Sequence, residues 1–278
     1  MKKQLKIVVL AKQVPDTRNV GKDAMTPEGT VNRAALPAIF NPEDLNALEM
    51  ALALKDRTDA STVHILTMGP QRAADIIRDA IFRGADGGYL LTDRKFAGSD
   101  TLATSYALSC ALRKIQPDVI VAGRQAIDGD TAQVGPQIAE KLHLPQVTYA
   151  ADITKDGNTI TVKRMLEDGY MTIKVKTPCL LTCIKELNEP RYMSIDGIYA
   201  TYNKPLETFD YEKLKDHPLI DATTIGLKGS PTNIFKSFTP PQKRRHDAGG
   251  RRQGDLREAG RHSGEEAHHL RKGINKYV

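Results

Sequence analysis

Short apolar runs alternate with amphipathic stretches over the first 150 residues. Uninterrupted runs of four to seven apolar residues are typical of parallel strands that are covered on both faces. The run in the predicted strand Asp118–Ala122 is of this kind, and further strands are predicted at Leu5–Leu10, Thr62–Met68, Gly88–Thr92 and Gln146–Tyr149. Helices are predicted from Asn41, from Gln71 and from Asp100. The alternation predicts an α/β fold with a doubly wound, mostly parallel, Rossmann-like sheet, which binds ligands at the carboxyl ends of its strands.

The periodicity changes after about Asp152. Alternating residues flank a turn at Lys155–Asn158, which predicts a hairpin and an antiparallel extension of the sheet. Residues 205–242 are rich in Pro, Lys and Thr with little periodicity. Because such a segment has no core of its own, we expect an extended arm that lies on a partner subunit. The predicted organisation is an α/β domain at 1–204, the arm at 205–242 and a separate tail at 243–278.

The charge distribution argues against a nucleic-acid function. The formal net charge is +6, but the tail alone holds ten Lys/Arg against five Asp/Glu, and the preceding 242 residues carry thirty against twenty-nine. The body therefore has no basic footprint for nucleic acid. No run approaches the roughly 18 apolar residues of a membrane span, and the N-terminus does not resemble a secretory signal. With three cysteines, an odd number, we expect buried thiols in a reducing cytoplasm.

The stretch Gly123–Gln137, GRQAIDGDTAQVGPQ, joins a buried strand to a helix through a small acidic turn. We expect the helix to begin near Asp130–Thr131, either of which can cap it. Its unpaired N–H groups attract a phosphate, and Gly129 and Gly135 allow a ligand to approach closely. The alternative is a tight turn without a ligand, since Asp128 and Asp130 are an unusual lining for a phosphate site.

The sequence lacks the common patterns of hydrolytic chemistry. No Ser-His-Asp order, glycosidase carboxylate pair, Walker loop or zinc spacing is present. His64, His143 and His217 all lie far in sequence from the acidic turn, and His64 is interpreted as a core or sheet-edge residue. A carrier or binding module is therefore favoured over a hydrolase. Three strand ends and the Asn41–Pro42 turn would converge on one nucleotide, whose identity the spacing does not reveal.

Five segments together resemble the beta subunit of electron transfer flavoproteins. They are AKQVPDT at 11–17, NPEDLNALE at 41–49, LTMGP at 66–70, GRQAIDGDTAQVGP at 123–136 and NEPRY at 188–192. The resemblance is collinear over about residues 5–242. It implies an adenine-nucleotide alpha-hydrolase-like fold and a heterodimer with an alpha subunit. It also implies a nucleotide site at Leu10, Asn41, Pro42, Glu43, Asp44, Met68, Gly123, Arg124, Gln125, Ala126, Ile127, Asp128, Gly129, Asp130, Thr131, Ala132, Gln133 and Val134.

The resemblance leaves two branches of the family open. In the ordinary branch the beta subunit holds a structural AMP, and electrons pass from acyl-CoA dehydrogenases to a quinone reductase. In the electron-bifurcating branch FAD replaces AMP and takes hydride from NADH. One electron then goes to ferredoxin or flavodoxin, and the other goes through the alpha-subunit FAD to an acyl-CoA dehydrogenase. The turn here resembles the second branch, because Gly129 and Ala132 are small and leave room for the longer ligand.

The resemblance assigns no catalytic acid or base, so the chain is expected to be an electron-transfer subunit of an oxidoreductase complex. Arg124 would tune the flavin electrostatically or form only a salt bridge at the end of the sheet. Ile195 matches the exposed residue with which the family docks its dehydrogenase, although an isolated exposed apolar residue is common. A nucleotide-binding regulatory module is the alternative of another class. The predicted arm and the NEPRY segment count against it.

The tail departs from the family, whose chains end in a helix. Lys243–Leu270 is rich in Arg, Gly and His and lacks an apolar face. Either it is a basic disordered arm or it results from a frameshift, because suitable codons for His246–Leu270 encode an amphipathic helix when read one nucleotide on. If the frameshift hypothesis is right, sequencing the encoding DNA will show that a single-base shift restores the helix. A DNA sequence in which no shifted frame gives a helix would refute it.

Overall fold

The computed structural model describes residues 4–16, 37–58, 61–221 and 223–232. The hairpin expected around Pro27–Gly29 and the whole of the tail lie outside these residues. Within them the chain forms strands β1 (Lys6–Leu10), β2 (Gln13–Pro15), β3 (Ala38–Phe40), β4 (Thr62–Met68), β5 (Gly87–Leu91), β6 (Val119–Gly123), β7 (Gln146–Asp156), β8 (Thr159–Met165), β9 (Tyr170–Lys176), β10 (Cys179–Cys183) and β11 (Leu206–Phe209). The helices are α1 (Pro42–Asp56), α2 (Ala74–Phe82), α3 (Thr101–Ile115), α4 (Val134–Leu142), α5 (Ile195–Ala200) and α6 (Tyr211–Leu214).

Nine strands form one sheet in the order β11-β5-β4-β1-β6-β10-β7-β8-β9. The pairs from β11 to β7 are parallel, and the last two pairs are antiparallel. β2 and β3 pair separately as a short antiparallel ribbon. The mixed α/β fold with its mostly parallel sheet confirms the predicted fold class. The strand order reverses at β1, which pairs with β4 on one side and β6 on the other, and this is where such sheets open a ligand crevice.

Helices cover both faces of the sheet. Alternate residues of β1 point to opposite sides, so that Ile7 and Val9 pack with α1 and α2, and Val8 and Leu10 pack with α3 and α4. All four side chains are less than a tenth exposed. Apolar side chains are favoured on both faces of such a strand, and this explains its nearly continuous apolar sequence.

The antiparallel extension is confirmed, with an adjustment of its length. β7 runs to Asp156, well past Tyr149 where the sequence placed its end, and turns back into β8 through Gly157, whose φ is +57°. Ile153, Ile160, Val162 and Val175 are buried on the inner face of the three strands. The outer face is polar, as the alternating pattern predicts.

Residues 205–221 and 223–232, the described part of the predicted arm, pack against the sheet of the same chain. β11 adds an edge strand beside β5, with Phe209 opposite Leu91. Phe209, Leu214, Ile220 and Ile225 are buried against the α3 side of the sheet. These apolar residues are irregularly spaced because they come from a short strand, one turn of helix and loops, and for that reason they produce no period in the sequence.

Candidate functional site

The N-terminus of α1 holds the two central strand ends together. The Asp44 carboxylate accepts hydrogen bonds from the backbone N–H of Lys12 (2.9 Å), just after β1, and of Gly123 (3.1 Å), at the end of β6. The predicted helix start is confirmed, with Pro42 in the first turn and Glu43 and Asp44 following. The carboxylate therefore lies where the helix dipole favours a negative charge.

Asn41 occupies the position before α1, but its side chain does not cap the helix. Its Nδ2 instead donates to the carbonyl of Gln125 (2.9 Å), and its Oδ1 accepts from the N–H of Ile127 (3.1 Å). Glu43 binds the same loop. Its two carboxylate oxygens accept hydrogen bonds from the Arg124 guanidinium (2.9 Å) and from the backbone N–H of Gln125 (3.0 Å). The loop after β6 is thus held by side chains of α1.

Gly123 is required for this close approach. A Cβ built at this position would lie 2.5 Å from the Asp44 carboxylate and 2.7 Å from the Glu43 carbonyl carbon, much closer than atoms can pack. Gly135 has a related role in packing, since a Cβ there would lie 2.8 Å from Thr182. At Gly129 a Cβ would meet nothing within 4 Å. Of the two glycines expected to admit a ligand, the open position is Gly129.

The acidic turn is built differently from the sequence expectation. The N–H groups of Gly129 and Asp130 both donate to the Ala126 carbonyl, and Asp130 and Ala132 have φ of +50° and +52°. α4 begins only at Val134, after Gln133, and has no side-chain cap. The prediction that Asp130 or Thr131 caps α4 is therefore wrong. Asp130 instead accepts a hydrogen bond from the side-chain amide of Gln125 (2.8 Å). The two residues with positive φ lengthen the turn, so α4 starts later than the sequence predicts.

Asp128 is also used inside the protein. Its side chain is 3% exposed and lies 2.7 Å from the ammonium group of Lys12, which reaches across from the end of β1. The ion pair ties the acidic turn to the neighbouring strand end. Asn41, Glu43, Asp44 and Asp128 thus hold the site together. The objection that acidic residues suit a phosphate site poorly is met for Asp128, but not for Asp130, which is exposed.

These elements surround a cavity of about 820 Å³ at the carboxyl ends of β1, β4, β5 and β6. Most of the residues predicted from the sequence line it: Leu10, Asp44, Met68, Gly123, Arg124, Gln125, Ala126, Gly129, Asp130, Thr131, Ala132, Gln133 and Val134. The structure does not bring Asn41, Pro42, Glu43, Ile127 or Asp128 to the cavity surface. Apart from Pro42, these residues bond to the loop or strand ends that form the wall.

One wall was missed by the sequence reasoning. It consists of the segment after β5 and the first turn of α3, including Thr92, Arg94, Phe96, Asp100 and Thr104. Asp100 caps α3 by accepting from the N–H of Ala103 (3.0 Å). The sequence does contain a signal for this wall, because β5 is a parallel strand followed by a capped helix. The carboxyl ends of parallel strands lie at one edge of the sheet, so the segment after β5 must lie at the same edge as the segments after β1 and β6.

The other titratable residues considered from the sequence lie elsewhere. His64 sits in β4 beside Tyr89, and burial lowers its pKa. The three cysteines are free and buried, as predicted, and burial raises the pKa of Cys110 and Cys179 to about 12. The described residues contain no cluster of His, Cys, Asp and Glu that could hold a metal ion. Nor does any helix among them have the length and apolar character needed to cross a membrane.

Ile195 lies on a separate exposed surface at the start of α5. It is 73% exposed, and the neighbouring Tyr192 is 93% exposed. The segment before it is nevertheless held firmly, because the Arg191 guanidinium binds Glu49 (2.8 Å) and Asp56 (2.8 Å) on α1. A rigid base therefore presents apolar side chains to solvent, which is characteristic of an interaction surface.

Comparisons with known proteins show the family of the chain. The family model described as the electron transfer flavoprotein domain matches residues 28–214. The acryloyl-CoA reductase electron transfer subunit gamma of Anaerotignum propionicum is 60% identical over 243 residues, covering 86% of this chain and 90% of that protein. The caffeyl-CoA reductase-Etf complex subunit CarD of Acetobacterium woodii is 49% identical over 86% of this chain and 89% of its own length. The electron transfer flavoprotein subunit beta of Clostridium acetobutylicum is 48% identical, with 86% and 90% covered.

The buried Asp44 predicts an unusual pH dependence of stability. Burial raises the pKa of its carboxyl from 3.8 to about 7, although the N–H groups of Lys12 and Gly123 lower it. At a pH between these two pKa values, the Asp44 carboxyl is ionised in the unfolded chain but still protonated in the folded chain. The contribution of Asp44 to the free energy of unfolding should therefore fall as pH rises from about 4 to 7, by roughly 3 kcal/mol, and Asp44→Asn should remove this contribution.

Urea unfolding at pH 4.5 and pH 7.5 measures the effect. Asp216→Asn, at an exposed carboxylate, is the matched control and should leave the pH dependence of the native chain unchanged. Parallel pH profiles for the native chain and Asp44→Asn would contradict the prediction.

Proposed function

The chain belongs to the beta subunits of the electron transfer flavoprotein family, and on that premise we propose that it binds FAD in the cavity and works in flavin-based electron bifurcation. The observation that carries the proposal is the size of the cavity, about 820 Å³, beside the open position at Gly129. This volume is near the upper end of the range for small-molecule sites. FAD has more than twice the non-hydrogen atoms of AMP and makes better use of such a space.

The residues around the cavity fit a flavin nucleotide. The first N–H groups of α4 have no partner within the helix and suit a diphosphate, and the turn before it exposes backbone at Gly129. Leu10 and Met68 offer apolar surface. Arg124 lines the cavity with a side chain that is 33% exposed, so its guanidinium can approach a ligand. FAD supplies hydride acceptance and single-electron release, while the chain binds it, orients it and sets its electrostatic surroundings.

The partners follow from the family and the names of the relatives. We infer a heterodimer with an alpha subunit, NADH as the electron donor, ferredoxin or flavodoxin as the low-potential acceptor, and an acyl-CoA dehydrogenase as the other acceptor. Two of the relatives are named as parts of acryloyl-CoA and caffeyl-CoA reductase systems, which supports the dehydrogenase. We propose that the arm predicted at 205–242, of which residues 233–242 lie outside the described residues, contacts the alpha subunit.

A second candidate keeps the same site but fills it with AMP. Other relatives carry only the name electron transfer flavoprotein subunit beta, and the anchoring of the loop by Asn41 and Asp44 serves either nucleotide. In this form the chain would be a structural subunit that assists electron flow from acyl-CoA dehydrogenases to a quinone reductase.

Nucleotide content decides between the two forms. The chain is co-expressed with its alpha subunit, the heterodimer is denatured with acid, and the released nucleotides are quantified by chromatography. We expect two FAD per heterodimer, and NADH should bleach the flavin absorbance. One FAD with one AMP would instead assign the chain to the AMP form, and a chain that binds nucleotide but no alpha subunit would indicate a regulatory module.

The exposed surface at α5 gives a second prediction. If Ile195 docks the dehydrogenase, Ile195→Ser should slow electron transfer to that partner at least about tenfold, because a buried isoleucine contributes roughly 1.5–3 kcal/mol. Flavin content should not change. The rate is measured with the intact heterodimer and an acyl-CoA dehydrogenase at limiting concentration.

Leu227→Ser is the matched control, because Leu227 is an apolar residue with 59% exposure outside α5. Equal rates for the Ile195 and Leu227 variants would rule out a docking role for Ile195.

A further inference from the structure

We propose that Tyr149 is a positioning residue that orients the Arg124 guanidinium and thereby helps to set the reduction potential of the flavin bound in the cavity. Tyr149 lies behind Arg124 and is not among the residues that line the cavity. The proposal rests on the proposed function, since it requires FAD rather than AMP in this site.

The first observation is the backbone of Tyr149. Its φ is +57°, in the left-handed region. For a bulky residue this conformation is unfavourable, and it persists only where the surroundings enforce it. Such residues cluster at ligand sites and switch regions. A turn or a loop would explain a left-handed residue simply, but Tyr149 lies within strand β7.

The second observation is that β7 is irregular on both sides at this point. On the β10 side, Val147 pairs with Leu181 and the next pair is Ala150 with Cys183. The chain thus advances by three residues along β7 but by only two along β10. Towards β8 the pairing also shifts, between Ala150 and Asp152. A bulge of this kind turns a side chain away from its regular direction. Tyr149 therefore lies in the part of β7 where the pairing with both neighbouring strands is irregular.

The third observation connects the bulge to the cavity. The backbone N–H of Arg124 donates to the carbonyl of Cys183 (2.9 Å), and Cys183 is the residue that pairs with Ala150 immediately after the bulge. Cys183 of β10 therefore contacts both Arg124, just after β6, and the irregular part of β7. A displacement of the bulge in β7 would move Cys183 and, with it, the backbone of Arg124.

The side chains meet as well. The Arg124 guanidinium carbon lies 5.9 Å from the centre of the Tyr149 ring, within the range of a cation–π attraction. On another side the guanidinium binds the Glu43 carboxylate (2.9 Å). A carboxylate and a ring together restrict the guanidinium more than either does alone. The Arg124 side chain remains 33% exposed, so its charge acts on a ligand through little intervening protein.

The electrostatic consequence has a definite sign. A reduced flavin carries more negative charge than an oxidised one, so a fixed positive charge near it stabilises the reduced form and raises its potential. Loss of the ring would let Arg124 move away and would weaken this effect. We expect a tenfold weaker preference for the reduced flavin, which for a two-electron couple corresponds to about 30 mV.

The test is a double-mutant cycle on the heterodimer with its alpha subunit. The readout is the midpoint potential, by spectroelectrochemistry, of the flavin that NADH reduces. Tyr149→Asn removes the ring but keeps a residue that tolerates the left-handed region, and Tyr149→Phe is the control that keeps the ring. We expect Tyr149→Phe to match the native protein and Tyr149→Asn to lower the potential by about 30 mV.

Arg124→Gln completes the cycle. It should lower the potential at least as far, and adding Tyr149→Asn to it should cause no further change, because Tyr149 acts through Arg124. A Tyr149→Asn shift that is equally large with and without Arg124, or no shift at all, would overturn the proposal. FAD and AMP are counted in the same samples. One FAD and one AMP would overturn the proposed function and this inference together, whereas two FAD with unchanged potentials would overturn this inference alone.

Discussion

The structure depends on one buried carboxylate. Asp44 accepts hydrogen bonds from the backbone of two different strand ends, at Lys12 and at Gly123, and so joins α1 to the point where the strand order reverses. A side chain at residue 123 would exclude it, because the helix and strand are too close for a Cβ. The crevice at this edge is therefore held in one shape before any ligand binds, and a preformed site does not have to be ordered at the expense of binding free energy.

This arrangement shows how an acidic segment can surround the proposed nucleotide site. Asn41, Glu43, Asp44 and Asp128 all have partners within the protein, and the charges of the three acids are opposed by Arg124, Lys12 or backbone N–H groups. The cavity wall also carries acids, among them Asp44 and Asp130, so attraction for the proposed phosphate has to come from the N-terminus of α4 and from basic side chains of the wall such as Arg124.

Helix α1 also connects the cavity to the exposed surface around Ile195. Its first turn fixes the loop after β6, and further along the same helix Glu49 and Asp56 bind Arg191, which holds the segment leading to α5. Asn46, between them, binds the carbonyl of Asn188 (2.7 Å). One rigid helix therefore sets the positions of both regions. For an electron carrier the distance from flavin to partner controls the rate of transfer, so a shared support for the two regions suits the proposed function.

The sequence by itself determined the parallel sheet, the helix start at Asn41–Asp44 and the antiparallel hairpin, because continuous apolar strands, Pro with acids at a helix start and a turn between alternating strands are local patterns. The family resemblance added part of the cavity lining, such as Leu10, Met68 and Gly129. The tertiary structure alone decided which acids face the cavity, where α4 begins, the wall after β5 and the packing of 206–232. It also revealed the irregular strand at Tyr149. These features depend on contacts between residues far apart in the chain, such as Asp44 with Gly123, and no local pattern records which side chain a distant backbone group will meet.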